Sequence, residues 1–597
     1  MRRILVTSHL TQDGTERYLA ANVLYRPDLR RRDPVLVRQE VARIAPDLII
    51  VCAADQALLD AVGNTPDLRI VVFATTADAI EPGTLDHPGV SLALAATQAQ
   101  AERAAFAEAE RRLRPVPTAP AVGRVPGKRV AMVGAGAVNL VTALRLARAG
   151  YEVDVFDRMP DPLETDDFPA DAVGATFGGL DARIFSYNES RHHLYRGVAT
   201  RSEIRFRHRI SDAGWLSRDL DTLDDEERGW IDRLEAVPPW LAGVYNRCIL
   251  DYNRASLARW HEIFGVFPAL LRGANLVDRL LRVYQTQAAF AAASRSERIL
   301  GARREILSAS DLVAAEPCFA DAARSGAVAG ALRVEGFSIN VKTLSRNIVR
   351  LLAARGVRFH WGRALTAMRT DAAGRIASLR FGEEEVVADH VVVSPGAYAR
   401  LGGGGEDTLP DVASVIGMWI TLPNEDVPLA TPLKVRRRGF AASEAAEGAN
   451  VIPGHGPDGR PVIYCSSGHG FVGKTPLRAD ACDLDELARC IRETAEELFP
   501  DKVREARRRG MLDVPPASCI RPWTSSGLGV FVRRETAGGG AAVVTGGHNT
   551  GGFAQAPAVA EAVLEALRGG TPEMAELYHP DRATALAEAP TAPERAA

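Results

Sequence analysis

The chain reads as an α/β and α+β protein: a Rossmann-like nucleotide domain joined to a mixed-sheet domain, with a small flavodoxin-like α/β layer in front. Three observations predict this. A glycine-pinched strand-turn-helix lies at Arg129–Asn139. Strand-like and helix-like segments alternate regularly before it, over residues 1–115. After Asp157 the alternation stops, and helical stretches rich in aromatic residues give way to short strand candidates between Gly and Pro turns.

In chain order, the first unit begins with Arg3-Ile-Leu-Val-Thr7, a short apolar run with no small-residue cleavage site behind it, which reads as a first β-strand. A helical stretch around Val35–Ile44 follows, then strand candidates Asp47–Cys52 and Leu68–Phe73 and an alanine-rich helix from about Ala96 to Leu113. This is the order of a small parallel layer. Four prolines in the twelve residues Pro115–Pro126 make a stiff linker, placed at 116–127. A flavodoxin-like layer followed by a linker and a glycine motif is similar to the order in D-2-hydroxyacid dehydrogenases. The segment after Asp157 does not continue as a nicotinamide domain, so the role of residues 1–115 stays open between assembly and a separate binding or catalytic duty.

In Arg129-Val-Ala-Met-Val-Gly-Ala-Gly-Ala-Val-Asn139, Gly134 permits a tight turn and Gly136 lets backbone N–H groups approach phosphate oxygens. The helix from Ala137 then aims its positive dipole end at them. Strand Glu152–Asp157 ends in an acid at the spacing that serves ribose hydroxyls, and Arg158 follows it. Asn139 stands where Gly or Ala normally lets helix and strand pack closely, so either the helix sits farther out or the Asn touches a phosphate. The motif alone does not choose between NAD and FAD.

Beyond Asp157, Gly174-Ala-Thr-Phe-Gly-Gly179 is a second flexible stretch, and residues 188–330 read largely helical. Trp215, Trp230, Trp240, Tyr245, Tyr252, Trp260 and Phe264 in that stretch suit a core. Arg333–Asn340 reads as extended, Val341–Arg355 as a helix and Val357–Trp361 as a strand. Asp389-His-Val-Val-Val-Ser-Pro-Gly396 is another buried strand running into a glycine turn. Residues 411–515 alternate strand candidates and turns, with one helix near Leu484–Leu498.

Composition narrows the classes. With 597 residues, 46% apolar and 25% charged, several globular cores are needed, and no apolar run is long enough to span a bilayer. A formal charge of −3 offers no long-range attraction for nucleic acid, and the runs Arg30–Arg32 and Arg436–Arg438 read as solvated surface. Seven scattered cysteines, without a C-x-x-C pair or a nearby His at ligand spacing, suggest a reducing cytoplasm and no metal site.

Near the C-terminus, Ser518-Cys-Ile-Arg-Pro-Trp523 precedes Ala541-Ala-Val-Val-Thr-Gly-Gly-His-Asn-Thr-Gly-Gly-Phe-Ala-Gln-Ala-Pro557. With the two earlier glycine turns, this resembles the FAD-dependent D-amino-acid oxidase superfamily, which includes glycine oxidase, sarcosine oxidase and D-amino-acid dehydrogenase. The resemblance spans about residues 128–585. It implies a discontinuous FAD-binding domain (128–200, 335–410, 516–585), a mixed-sheet substrate domain with a helical insertion (201–334, 411–515) and a flexible tail (586–597).

The resemblance implies that the cofactor is FAD, held by Gly134, Gly136, Ala137, Asn139, Asp157, Arg158, Gly178, Gly179 and Gly396, and by Gly547, His548, Asn549, Thr550, Gly551, Gly552 and Phe553. Arg183 lies near the second of these stretches. Physically, four glycines between 546 and 552 bring backbone N–H groups close to a ligand, and the next helix would stabilise negative charge on a reduced flavin. Arg521, in the family's Arg-Pro motif, is implied to clamp the substrate carboxylate through two parallel hydrogen bonds. Cys519 has two readings: flavin attachment, as in some sarcosine oxidase relatives, or a buried structural thiol, favoured by the Arg-Pro pattern of non-covalent members. Tyr464, His469 and Lys474 are candidates to line the substrate pocket, or belong to a strand-turn-strand without catalytic duty.

The expected activity is oxidation of the C–N bond of an amino acid or N-substituted amine to an imine, with oxygen or another acceptor reoxidising the flavin. One alternative is a biosynthetic flavin oxidase acting on an N–N, N–O or amino-sugar substrate. Another is a non-catalytic flavin-binding assembly subunit, and a homo-oligomer is compatible with either.

Overall fold

Runs of β-branched and aliphatic residues without charge become buried parallel strands here, because both faces of such a strand must be covered. In a computed structural model, β1 (Ile4–Val6), β2 (Val23–Tyr25), β3 (Leu48–Cys52), β4 (Arg69–Thr75) and β5 (Val90–Ala95) form an all-parallel sheet in the order β2-β1-β3-β4-β5. That is the flavodoxin-like order. The structure describes residues 2–19, 22–62, 65, 67–78, 89–114, 127–168, 174–178, 183–187, 206–210, 214–398, 411–437, 450–466, 470–475 and 484–585. Gly179, His469, nearly all of the proline-rich linker and the tail after 585 fall outside the described residues.

The layer is docked, not tethered. Its Gln98–Leu113 helix, capped by Thr97, lays Phe106 between Tyr18 (ring centroids 4.2 Å apart) and Trp240 (5.6 Å) of the long Pro239–Val266 helix. One continuous apolar cluster runs from Ile4, Ile50 and Phe73 through Phe106 and Trp240 to Val130, Leu140 and Val559. Glu110 and Arg582, both without solvent exposure to speak of, form an ion pair of 2.6 Å across the same contact.

A second sheet carries the glycine turns. Its order is Arg358–His360, Glu152–Phe156, Arg129–Val133, His390–Val393, Ala541–Gly546 and Val530–Glu535; all neighbours are parallel except the last pair. The Ala137–Arg148 and Gly552–Leu567 helices cover one face.

The third sheet has nine strands and is mixed. Arg303–Ser308, Gly330–Val334, Leu280–Tyr284, Leu433–Arg436, Asn450–His455, Pro461–Ser466, Val412–Pro423 and Gly470–Gly473 follow one another, and Ala517–Thr524 also pairs with Val412–Pro423. Two of these strands correct the largely helical reading of 188–330. Leu280–Tyr284 and Arg303–Ser308 flank the Gln287–Ile299 helix and find their partners at Gly330–Val334 and Leu433–Arg436. A second helix, Pro500–Arg508, directly follows the foreseen Asp485–Leu498 helix. Among the described residues, no helix is long and apolar enough to cross a membrane.

Candidate active site

The carboxyl ends of parallel strands leave a crevice where the loops diverge. Here it is a cavity of about 620 Å³ bordered by loops from five strands of the six-stranded sheet and by Ile520–Pro522 of the mixed sheet. Gly134, Gly136, Ala137, Asp157 and Arg158 line it, with Gly396, Gly547, His548, Asn549, Thr550, Gly552, Phe553, Lys474 and Arg521.

The first turn is tight and closes on its neighbour. Gly134 has φ +95°, and a Cβ there would collide with the Ser394 carbonyl oxygen, so this glycine lets the first and mid-chain turns close on each other. A Cβ at Gly136 would meet nothing nearer than Thr176 Oγ1 at 3.6 Å, which leaves backbone open to the cavity. Gly136 caps the Ala137–Arg148 helix without a side chain, so the positive helix end faces the same space. Asp157 accepts from Ala135 N (2.5 Å) and Met159 N (2.8 Å), which ties the acid to the turn. Burial pushes its carboxyl above the ordinary value, against those two backbone donors.

Asn139 turns away from the cavity. Its Nδ2 donates to Val133 O (2.7 Å) and Gly134 O (2.8 Å), so it staples the strand end from behind, where neither helix displacement nor a phosphate contact is needed. Its Oδ1 is buried without a hydrogen bond. Gly551 also lies outside the lining. Tyr464 does too: its hydroxyl donates to His455 O (2.6 Å), and its ring packs with Trp419, Val462 and Cys519. Cys519 is therefore a buried thiol within that sheet cluster and does not line the cavity.

At the other end, Asn549 (φ +53°) accepts from Thr524 N (3.1 Å) and donates to Gly527 O (2.7 Å). This binds the glycine-rich loop to the strand that carries Arg521. The Gly552–Leu567 helix starts at that loop without a side-chain cap. His548 is fully buried, its Nε2 3.2 Å from Thr545 Oγ1, and burial lowers its pKa to about 4, so it is neutral near pH 7.

Arg521 is 8% exposed, and its Nη1 has no hydrogen-bond partner. A buried guanidinium donor without a partner is costly, and an anion bound by this guanidinium would offset that cost. Lys474 is also buried at the cavity, with Nζ 3.4 Å from Glu226 Oε1.

Several lining residues escaped the sequence reading. Thr176 Oγ1 accepts from Ala137 N at 3.0 Å, Arg363–Thr366 close the far end, and Tyr398 sets its ring centre 4.5 Å from the guanidinium of the foreseen Arg158. The signal for Arg363–Thr366 was their position just past the edge strand Arg358–His360, at its carboxyl end.

Comparison with known proteins points the same way. The family model described as FAD dependent oxidoreductase matches residues 129–566. A D-amino acid dehydrogenase of Rhizobium johnstonii is 23% identical over 464 residues, covering 75% of this chain and 97% of its own length. One of Cereibacter sphaeroides is 25% identical over 426 residues, covering 60% of this chain and 91% of that protein. Among solved structures, glycine oxidase from Bacillus cereus shares the fold with a TM-score of 0.50 at 14% identity, over 76% of this chain and 98% of that one.

Proposed function

Because the chain belongs to the FAD dependent oxidoreductase family, we propose that it oxidises the C–N bond of an amino acid or N-substituted amine to an imine, which water then hydrolyses. The protein is an FAD-dependent enzyme, and the residues present fit the cofactor. Two uncapped helix starts and three glycine turns open on one cavity, with the buried guanidinium of Arg521 at its mixed-sheet end.

FAD, when bound, supplies a ring that accepts two electrons and a proton as hydride. Gly136–Val138 would hold the pyrophosphate on backbone N–H groups, and Asp157 would take the ribose. The Gly552–Leu567 helix directs its positive end at the same cavity, which favours negative charge there by some tenths of a kcal/mol to about 2. Arg521 would hold the substrate carboxylate through its planar fork, fixing Cα while leaving the amine unclamped. Neutral His548 adds no positive charge to that end, so the amine is not repelled from it. We read FAD as non-covalently bound, since Cys519 lies in a sheet cluster outside the cavity lining.

The single observation that carries this reading is Arg521, a buried guanidinium with one partnerless nitrogen, lining the cavity that the glycine turns also line. Anaerobic flavin reduction by a panel of D-amino acids, N-methyl amino acids and simple amines tests it. Bleaching by carboxylate-bearing members, with kcat/KM falling roughly 100-fold or more in Arg521→Ala, is the expected result. A flavin that no panel member bleaches sinks the proposal.

For residues 1–115 we propose a docked structural layer. The crevice at its topological switch point, between β1 and β3, is filled by the layer's own groups: Ser8 donates to Asp55, Arg30 pairs with Asp55 at 2.6 Å, and Cys52 N donates to Ser8 Oγ at 2.6 Å.

A further inference from the structure

Gly417 sits in the interior of an apolar strand, Val412-Ala-Ser-Val-Ile-Gly-Met-Trp-Ile420, where glycine weakens a sheet relative to alanine by roughly 0.5–1 kcal/mol. Its backbone does not require glycine, since its φ is not positive. The reason lies across the ladder. Arg521 pairs with Val415 and Cys519 with Gly417, so Gly417 is the diagonal neighbour of Arg521 on the same face of the sheet. A Cβ at 417 would overlap Nη1 of Arg521 and lie 2.7 Å from both Cζ and Nη2. Three guanidinium atoms thus occupy the space that any side chain at 417 would take.

We propose that Gly417 is a positioning residue: its missing side chain is the seat of the Arg521 guanidinium, and this seat sets recognition of the substrate carboxylate. The inference rests on the reading of Arg521 as the carboxylate ligand. The backbone of Arg521 is fixed in the middle of a paired strand, so its head cannot retreat by moving the chain. A methyl group at 417 has to push the planar fork aside or out of plane, and a bidentate contact tolerates neither. Lysine at 521 would not feel the same crowding, because it has no Cζ–Nη fork.

The test is a double-mutant cycle on the FAD-loaded enzyme, using the amino acid that reduces the flavin fastest and its amide, which lacks the carboxylate. Benzoate binding, read from flavin absorbance, serves as a turnover-independent probe. Gly417→Ala is expected to lower kcat/KM for the acid by about 10- to 100-fold, mainly through KM, the scale on which a misplacement of about 1 Å acts. It should weaken benzoate similarly and leave the amide within about threefold, since uniform binding to a carboxylate is what is lost. In the Arg521→Lys background the same substitution should cost less than about threefold, a non-additivity that a merely structural role would not produce. Equal losses for acid and amide, or full additivity in the cycle, overturn the proposal. So does a Gly417→Ala enzyme that keeps its acid kcat/KM while Arg521→Ala loses it. An Arg521→Ala enzyme with undiminished carboxylate affinity instead removes the reading of Arg521 on which this rests. If Gly417→Ala alone takes up no FAD, recovery of FAD uptake in the Arg521→Lys background supports the seat, and failure to recover counts against it.

Discussion

Asn139 replaces the small residue of the glycine fingerprint with a side chain that holds the turn by hydrogen bonds to Val133 O and Gly134 O. Asn139→Ala removes both; Val133 O keeps the Ser394 N–H at 2.9 Å, while the part-buried Gly134 O loses its Asn139 donor, a loss of about 1 kcal/mol. The expected outcome is a lower Tm and weaker FAD retention, read by thermal scanning and by the flavin-to-protein absorbance ratio. His548 gives a pH signature. Its folded pKa of about 4 lies below the ordinary 6.5, so the unfolded chain takes up a proton first. The neutral ring's contribution to stability is therefore full above pH 6.5 and is lost as pH falls toward 4. Tm measured at pH 7.5 and at pH 5 should fall more steeply in the wild type than in His548→Gln; equal slopes would exclude His548 as the source.

Elements meet at their ends in this fold, and Gly134 is where two of them touch. Gly134→Ala has both a positive φ and a collision with the Ser394 carbonyl to overcome, so the expected product is a folded protein largely without flavin, visible as lost absorbance near 450 nm. The turns of this sheet were legible because glycine at a strand end reports a backbone requirement that no partner alters. The Arg-Pro motif was legible through resemblance. Asn139's inward staple and Gly417's seat were not, since each depends on what faces the residue across the fold. The strands Leu280–Tyr284 and Arg303–Ser308 were lost for a related reason: one pairs with Leu433–Arg436, about 150 residues on, and the other is only partly buried, so neither shows a clean period of its own. Short β2 and β5 escaped notice likewise, each being completed by neighbours in the sheet.

On the scale of the whole molecule, the N-terminal layer shares its core with the dinucleotide domain and is locked to it by Glu110–Arg582, while Arg114 pairs with Glu576 at 2.6 Å beside it. Removing one charge of a buried pair strands the other, so Glu110→Gln should destabilise the protein by about 3–5 kcal/mol, whereas Glu110→Met combined with Arg582→Leu should come much closer to wild type. Denaturant midpoints of the two variants check this, and a single substitution milder than the double would contradict it. Deleting residues 1–126 should yield aggregated or flavin-poor protein, because it uncovers Trp240 and leaves Arg582 unpaired. The two partners of that pair are 472 residues apart in the chain. At typical rates of about 5–20 residues per second, the ribosome needs roughly half a minute to a minute and a half to travel from one to the other. Throughout that interval the nascent first layer carries Glu110 without its Arg582 partner, so the expected outcome is a layer that a chaperone can bind until the Pro580–Ala585 helix emerges.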